Sequence, residues 1–314
     1  LFGVVVVNNS SGWDSVIHHD QGAGALVLGV VPGSPAAGAG VEAGDIIISV
    51  DDAEIRNSEQ VTVAFRSKSN PSHRVILTKP DGRVATIEIK LADAASVDVA
   101  KYIQDEAAAH PGAISRFLLA QQTADDAEAS AILDDLAAKS PSFAEAHALK
   151  AQRLLATVDA AQTPGAAVSS RLETARAEID KAEELDQSSA SIRTTGARIS
   201  LELQDVAKAR DEASLAADLD DFFAEAHYVL GTVRFADRQT TQGLTELRRA
   251  VDLDPYDLEY YTALAIAFIR TGNRNNAAKT IESAKSFVTD AGVKQRLDQV
   301  LTASGSVQSN QSAS

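Results

Sequence analysis

The stretch VVPGSPAAGAGVEAGDIIISV, residues 30–50, decides the fold of the first third of the chain. It leaves one β-branched run at Val30-Val31 and ends in another, Ile46-Ile47-Ile48-Ser49-Val50, and such runs read as strands. Pro32-Gly33 turns the chain out of the first strand. Ser34 and Pro35 then start a short helix. A serine oxygen can accept the unpaired N–H groups of a first turn, and proline, which has no N–H, suits the first helical position. Gly44 permits the positive φ needed to swing into the next strand at Asp45.

Working outward, strands are expected at 2–8, 25–31, 45–50, 74–79 and 84–91. Lys79-Pro80-Asp81-Gly82-Arg83 is a hairpin turn between the last two. Residues 58–67 place Val61 and Phe65 four apart, which predicts an amphipathic helix capped by Asn57 or Ser58 and stopped at Ser69-Asn70-Pro71.

Residues 30–50 resemble the PDZ family, in the form attached to bacterial envelope proteases, with its pattern V-x-P-G-S-P-A-x-x-A-G-hydrophobic-x-x-G-D-hydrophobic-I-hydrophobic-x-V. The order of helix, hairpin and closing strand extends the resemblance over residues 1–92. It implies a small α+β barrel or sandwich that takes up a C-terminal peptide as an added strand. It also implies that the peptide carboxylate rests on a hydrophobic-Gly-hydrophobic loop, which Leu1, Phe2, Gly3 and Val4 would supply. Val4 to Val7 would then be the strand that pairs with the peptide, with Val4, Val5 and Val6 as its binding residues, while Val61, Ala64 and Phe65 would border the groove and favour a small or medium apolar last residue. Against this stands a plainer expectation, that 1–7 is a core strand only. The long insertion 9–24 could cover the groove, and Trp13 within it, the sole tryptophan, could anchor the loop or meet a partner.

The texture changes near residues 92–96, from Val, Ile and Gly to Ala, Leu, Glu, Gln, Lys and Arg. Phe143-Ala144-Glu145-Ala146-His147 recurs as Phe223-Ala224-Glu225-Ala226-His227, an offset of 80 residues, or two 34-residue periods plus a 12-residue insertion. The unit from Ala224 has Leu230-Gly231, Gly243, Leu247, Ala250 and Pro255 at positions resembling the tetratricopeptide (TPR) consensus. The unit from Leu258 follows with Tyr261, Leu264, Ala265, Phe268, Gly272, Ala277, Ile281 and Ala284. Small residues let paired helices approach, and each pair must stack on a neighbour to bury its face. The fold expected is therefore multidomain: an α+β PDZ-like domain at 1–92, a linker helix within 93–109, and an all-α TPR solenoid at 110–304. Its units start near 110, 144, 190, 224 and 258, with a capping helix at 291–301 and a disordered tail at 305–314.

Such solenoids bind through the first helix of each pair. The face-lining positions here are Ala148/Gln152, Thr194/Arg198, Tyr228/Thr232 and Thr262/Ile266, which lack the Lys and Asn pattern of clamps for acidic chaperone tails. Tyr228, Phe235, Ile266, Ile269 and Arg270 are the candidates for a mixed apolar groove.

A net charge of −15 without a basic run disfavours nucleic acid and anionic lipid as partners. The absence of cysteine excludes disulfides and thiol chemistry. No apolar run approaches membrane-span length, so no direct insertion is expected. The chain opens without methionine or a recognisable leader, which reads as a processed or truncated product. His18-His19-Asp20 lacks a third ligand, Asp51-Asp52 and Asp125-Asp126 lack calcium-loop spacing, and phosphate-loop, HExxH and GxSxG motifs are absent. No cofactor, metal or catalytic site is expected within 1–314. The functional expectation is a protein–protein adaptor, with the PDZ groove holding a peptide or C-terminal tail and the solenoid holding a second protein. Two alternatives stay open: the substrate-recognition region of an envelope protease, and a homo-oligomeric assembly element. By resemblance, the setting would be the bacterial cell envelope, outside the cytoplasm.

Overall fold

The computed structural model describes residues 2–17, 22–66, 71–91, 97–159 and 166–309. Among them, β1 (Val4–Asn8), β2 (Ala25–Val30), β3 (Ile46–Val50), β4 (Ala53–Glu54), β5 (Ser72–Thr78) and β6 (Val84–Lys90) form one sheet. Its order is β1-β2-β3-β5-β6, with β4 paired to β3, and every pairing is antiparallel. The five longer strands lie within two residues of the apolar runs that announce them.

The signature residues hold the scaffold. α1 (Pro35–Gly38) starts with Pro35, and the Ser34 Oγ accepts the Ala37 N–H at 3.2 Å. Gly44 sits at φ +91° where the chain turns into β3. Asp45 is wholly buried, accepts the Glu42 N–H at 2.9 Å and pairs with the Lys79 ammonium at 2.9 Å. The turn is thereby tied to the end of β5 by a charge-assisted bond. Gly82, at φ +81°, makes the β5–β6 hairpin, with its N–H on the Lys79 carbonyl at 2.8 Å.

Both faces of the sheet are covered, which explains the unbroken Val4-Val5-Val6-Val7 run. Side chains alternate along a strand. Val4 and Val6 enter the core with Val27, Ile47, Val75 and Leu77, beside α1 and α2 (Ser58–Arg66). Val5 and Val7 join Leu26 and Leu28 on the opposite face. There they meet α3 (Val99–Ala109), α4 (Ala113–Gln122) and α5 (Asp126–Lys139) through residues such as Ile103, Phe117 and Leu133. The strand domain and the first helices thus share one hydrophobic core.

The remaining helices are α6 (Ala144–Asp159), α7 (Ala166–Leu185), α8 (Ala190–Glu202), α9 (Val206–Leu219), α10 (Ala224–Ala236), α11 (Thr240–Leu253), α12 (Leu258–Arg270) and α13 (Arg274–Ser286). They pack as successive pairs, with α14 (Ala291–Ser309) against α12 and α13. α14 continues past Leu301, the expected end of the capping helix, into the stretch expected to be a tail, and residues 310–314 lie outside the described residues.

Small residues set the spacing between paired helices. A Cβ on Gly231 would come within 2.7 Å of Leu247 and 3.0 Å of the Gly243 carbonyl. One on Gly243 would reach the Phe235 ring at 2.6 Å. Ala197, Ala209, Ala213 and Ala216 are fully buried in the preceding unit. The two FAEAH segments also place the same polar device inside the stack. His147 Nδ1 lies 2.7 Å from Glu178, and His227 Nδ1 lies 2.8 Å from Glu246. Each buried imidazole is satisfied by a carboxylate on the second helix of its own pair, as burial requires.

Candidate functional site

β1 is an edge strand, bonded to β2 on one side, with α2 beside it. The chain enters it through Phe2 and Gly3. Phe2 is buried, and its ring centroid lies 4.7 Å from that of Phe65. Gly3 takes φ +88°, and a Cβ there would run into the Ser34 side chain. Its carbonyl accepts the Val31 N–H at 2.8 Å. The need for glycine at this position therefore comes at least partly from the scaffold behind the loop.

Of the expected groove residues, Phe2, Val4, Val6, Val61, Ala64 and Phe65 gather in one cluster between β1 and α2. Val5 points the other way, into the core shared with the helices. Leu1 lies outside the described residues. At the far end of β1, Asn8 Oδ1 accepts both the N–H and the hydroxyl of Ser58, at 2.9 and 2.6 Å. Asn8 of β1 thus caps α2.

The insertion after β1 fastens the strand domain to the helices. Its 3₁₀ turn, Ser11–Ser15, buries Trp13 to 2% exposure, edge-on to Phe117 at 5.1 Å and Phe143 at 5.2 Å. Trp13 is the anchor of an interdomain joint. Around it, the Ser10 hydroxyl donates to Glu145 at 2.7 Å, and Asp186 accepts from the Ser11 hydroxyl and the Gly12 N–H, each at 2.9 Å. Farther along the stack, Asn57 donates to Asp220 at 2.8 Å, and the Arg56 guanidinium lies 4.4 Å over the Phe222 ring. Glu59 accepts the Ala224 N–H at 2.9 Å, where α10 has no side-chain cap of its own.

Burial of these carboxylates changes their chemistry. Burial, with the nearby charge of Glu225, pushes Glu59 up to about 8. Burial also pushes Glu145 up to about 7, with the Ser10 hydrogen bond opposing and the Asp186 charge adding. Asp186 moves the other way: burial would raise it, but bonds from Ser188, Ser11 and Gly12 hold it below its ordinary value.

A cavity of about 200 Å³ lies between the Asn8 end of β1, the start of α2 and the helices. Val6, Asn8 and Ser58 bound it on one side, and Phe117, Ala148 and Gln152 on the other. Glu145 is the one charged residue among the described residues lining it. A second cavity, about 220 Å³, opens farther along the first-helix face between Leu155, Arg198, Tyr228, Thr232 and Glu259.

Of the helix-face candidates, Tyr228 is half-buried and donates its hydroxyl to Glu259 at 2.8 Å, which together with burial raises its pKa. Ile266 is exposed, and Arg270 lies over the Phe235 ring at 5.6 Å. Phe235 and Ile269 are packed inside the stack, at 7% and 4% exposure.

The joint residues Ser10, Glu59, Glu145, Asp186 and Asp220 carry no motif. The repeated FAEAH segments were the available signal, since they place Glu145 and Glu225 at one repeat position next to the incoming domain. The expectations attached to His18, His19 and Asp20 lie outside the described residues. Asp51 instead serves a turn, accepting the Arg74 N–H at 2.8 Å and contacting His73 Nδ1 at 2.7 Å, and Asp125 caps α5 through the Glu128 N–H at 2.8 Å.

Comparison with known proteins supports the strand domain. The family model described as PDZ domain matches residues 26–78. Among solved structures, TTC0263, a thermophilic TPR protein of Thermus thermophilus, is similar at 17% identity over 54% of this chain and 89% of its own, with a TM-score of 0.49. MamA from Desulfovibrio magneticus RS-1 is similar at 19% identity over 61% of this chain and 98% of its own, with a TM-score of 0.44. YrrB, described as a TPR protein with an unusual peptide-binding site, is similar at 14% identity over 64% of this chain and 100% of its own, with a TM-score of 0.41. No curated protein matches the chain. Together, the matched model and the sheet with its signature turn give a PDZ domain at residues 26–78, followed by a solenoid of TPR-like helix pairs.

Proposed function

We propose that this protein is a non-enzymatic adaptor whose PDZ groove takes an extended C-terminal tail along β1 and whose helix face contacts a protein surface. One observation carries the groove: β1 is an edge strand lying beside α2, entered through Phe2-Gly3-Val4. Such an edge offers main-chain hydrogen bonds to an added strand, and side-chain pockets select what is added. The apolar cluster of Phe2, Val4, Val61 and Phe65 suits a small or medium apolar final residue.

Fluorescent peptides ending in a free carboxylate, and the same peptides amidated, test the groove. Capture of the carboxylate predicts binding of the free forms and a loss of at least roughly tenfold on amidation, about 1.4 kcal/mol. Equal binding of both forms would sink it. A Gly3 variant cannot replace this comparison, because any side chain there meets Ser34 before it meets a ligand.

A further inference from the structure

We propose that a single tail occupies both modules: its last residues pair with β1, and its preceding segment enters the cavity between the PDZ domain and the helices, where a lysine or arginine meets Glu145. This deepens the adaptor proposal above and rests on its groove.

Direction comes first. With the carboxylate at Phe2-Gly3-Val4, an added strand antiparallel to β1 has its upstream end at Asn8. β1 spans Val4–Asn8, so about five peptide residues fit beside it at ~3.4 Å per residue. The next residues pass Asn8 and Ser58, and both belong to the lining of the 200 Å³ cavity. The far wall of that cavity is α4, α6 and α8, through Phe117, Ala148, Gln152 and Ser191. A tail longer than the groove therefore leaves the PDZ domain directly onto the first-helix face. The joint at Trp13 holds the two surfaces together before any ligand arrives, so the ordering cost of a bipartite site is already met.

Charge specifies the partner. Glu145 is the charged group among the described lining residues, its Oε1 takes the Ser10 hydroxyl, and its Oε2 is buried with no hydrogen-bond partner. A buried acceptor left unpaired is unfavourable, and a cation beside it removes that cost. Among the described residues, the groups facing Glu145 are Ser10 and Gly12 of the insertion and the carboxylate of Asp186, and none of them is a cation that competes for it. Burial raises the affinity of Glu145 for a proton, so the carboxylate is fully charged only above about 7. The occupant is therefore a tail with an apolar C-terminus and a basic residue just upstream of the five that pair with β1.

The test compares a valine-ending pentapeptide with a decapeptide that extends it upstream by Gly-Lys-Lys-Gly-Ser, and with the same decapeptide carrying glutamine for both lysines. Each is titrated into the whole chain and into Glu145→Gln, with Trp13 emission checked to show that the joint stays closed. The expected result is roughly tenfold tighter binding of the lysine decapeptide than of the pentapeptide in the unchanged protein. That gain should shrink to about twofold with glutamine in the peptide or with Glu145→Gln. The gain should also grow as pH rises through about 7, because the carboxylate must be charged. A lysine decapeptide no tighter than the pentapeptide overturns the bipartite site while leaving the groove intact. A lysine-for-glutamine preference of equal size in Glu145→Gln overturns the role of that residue. If none of the peptides bind, the groove itself is wrong and this proposal falls with it.

Discussion

The carboxyl group of Glu59, from the PDZ helix α2, caps the TPR-like helix α10 by accepting the Ala224 N–H at 2.9 Å. The two domains complete each other at this point, since the N-terminus of α10 has no cap in its own sequence. The pairing has a pH signature. Glu59 holds its proton up to about 8 in the folded protein, because burial and then Glu225, Asp254 and Asp220 disfavour the charge. In the unfolded chain it releases that proton near 4.5. Between these values the folded state binds more protons, so stability falls as pH rises from about 4.5 to about 8. Glu59→Gln keeps the acceptor and removes the titration. Its melting temperature should exceed that of the parent at pH 8.5, with the difference vanishing below pH 4.5. A constant difference across that range would contradict the assignment.

Glu59→Ala removes the acceptor as well. The lost cap should cost about 0.5–2 kcal/mol, read as a lower urea midpoint at pH 4, where Glu59→Gln should match the parent.

Trp13 is the only tryptophan, so its fluorescence reports the joint alone. Emission should be blue-shifted in the folded chain, because the indole is 2% exposed between Phe117 and Phe143. Trp13→Ala should cost about 3–5 kcal/mol, the range for deleting a buried aromatic. Because the joint belongs to a core shared by both domains, the strand domain and the first helices should lose stability together. Domain-resolved hydrogen exchange should show faster exchange in β1, α4 and α6, with little change in α12 and α13.

Gly231→Ala tests the spacing of α10 and α11. The new methyl would sit 2.7 Å from Leu247 and 3.0 Å from a backbone carbonyl, so overpacking of about 1–3 kcal/mol is expected. Gly38→Ala is the control, since nothing lies within 4 Å of its Cβ and its φ is not positive. It should be neutral or slightly stabilising by urea denaturation.

Most of the scaffold was legible in the chain. The 30–50 signature works through local geometry: Ser34 caps, Pro35 starts a turn and Gly44 takes a positive φ, each within a few residues of itself. The strands were legible because apolar runs of the right length have few other uses. The helix pairs were legible because Gly231, Gly243 and the buried alanines are steric requirements repeated at a fixed period. The candidate site was legible only in part. Phe2, Val4, Val61 and Phe65 do meet, whereas Val5 turns to the other face, as strand alternation requires once both faces are buried.

By itself, then, the sequence determined the two kinds of module and their order, through short-range signals that each element carries within itself. The tertiary structure alone decided that the modules share a core. It turned Trp13 into a joint, set Glu59 on the end of α10, and left Glu145 lining the interdomain cavity with an unpaired oxygen. Those contacts join residues 104 to 175 positions apart, as in Trp13–Phe117, Ser10–Glu145, Glu59–Ala224 and Ser11–Asp186. Serines, glutamates and aspartates on an acidic chain look alike in sequence. Only the burial imposed by packing makes a few of them matter.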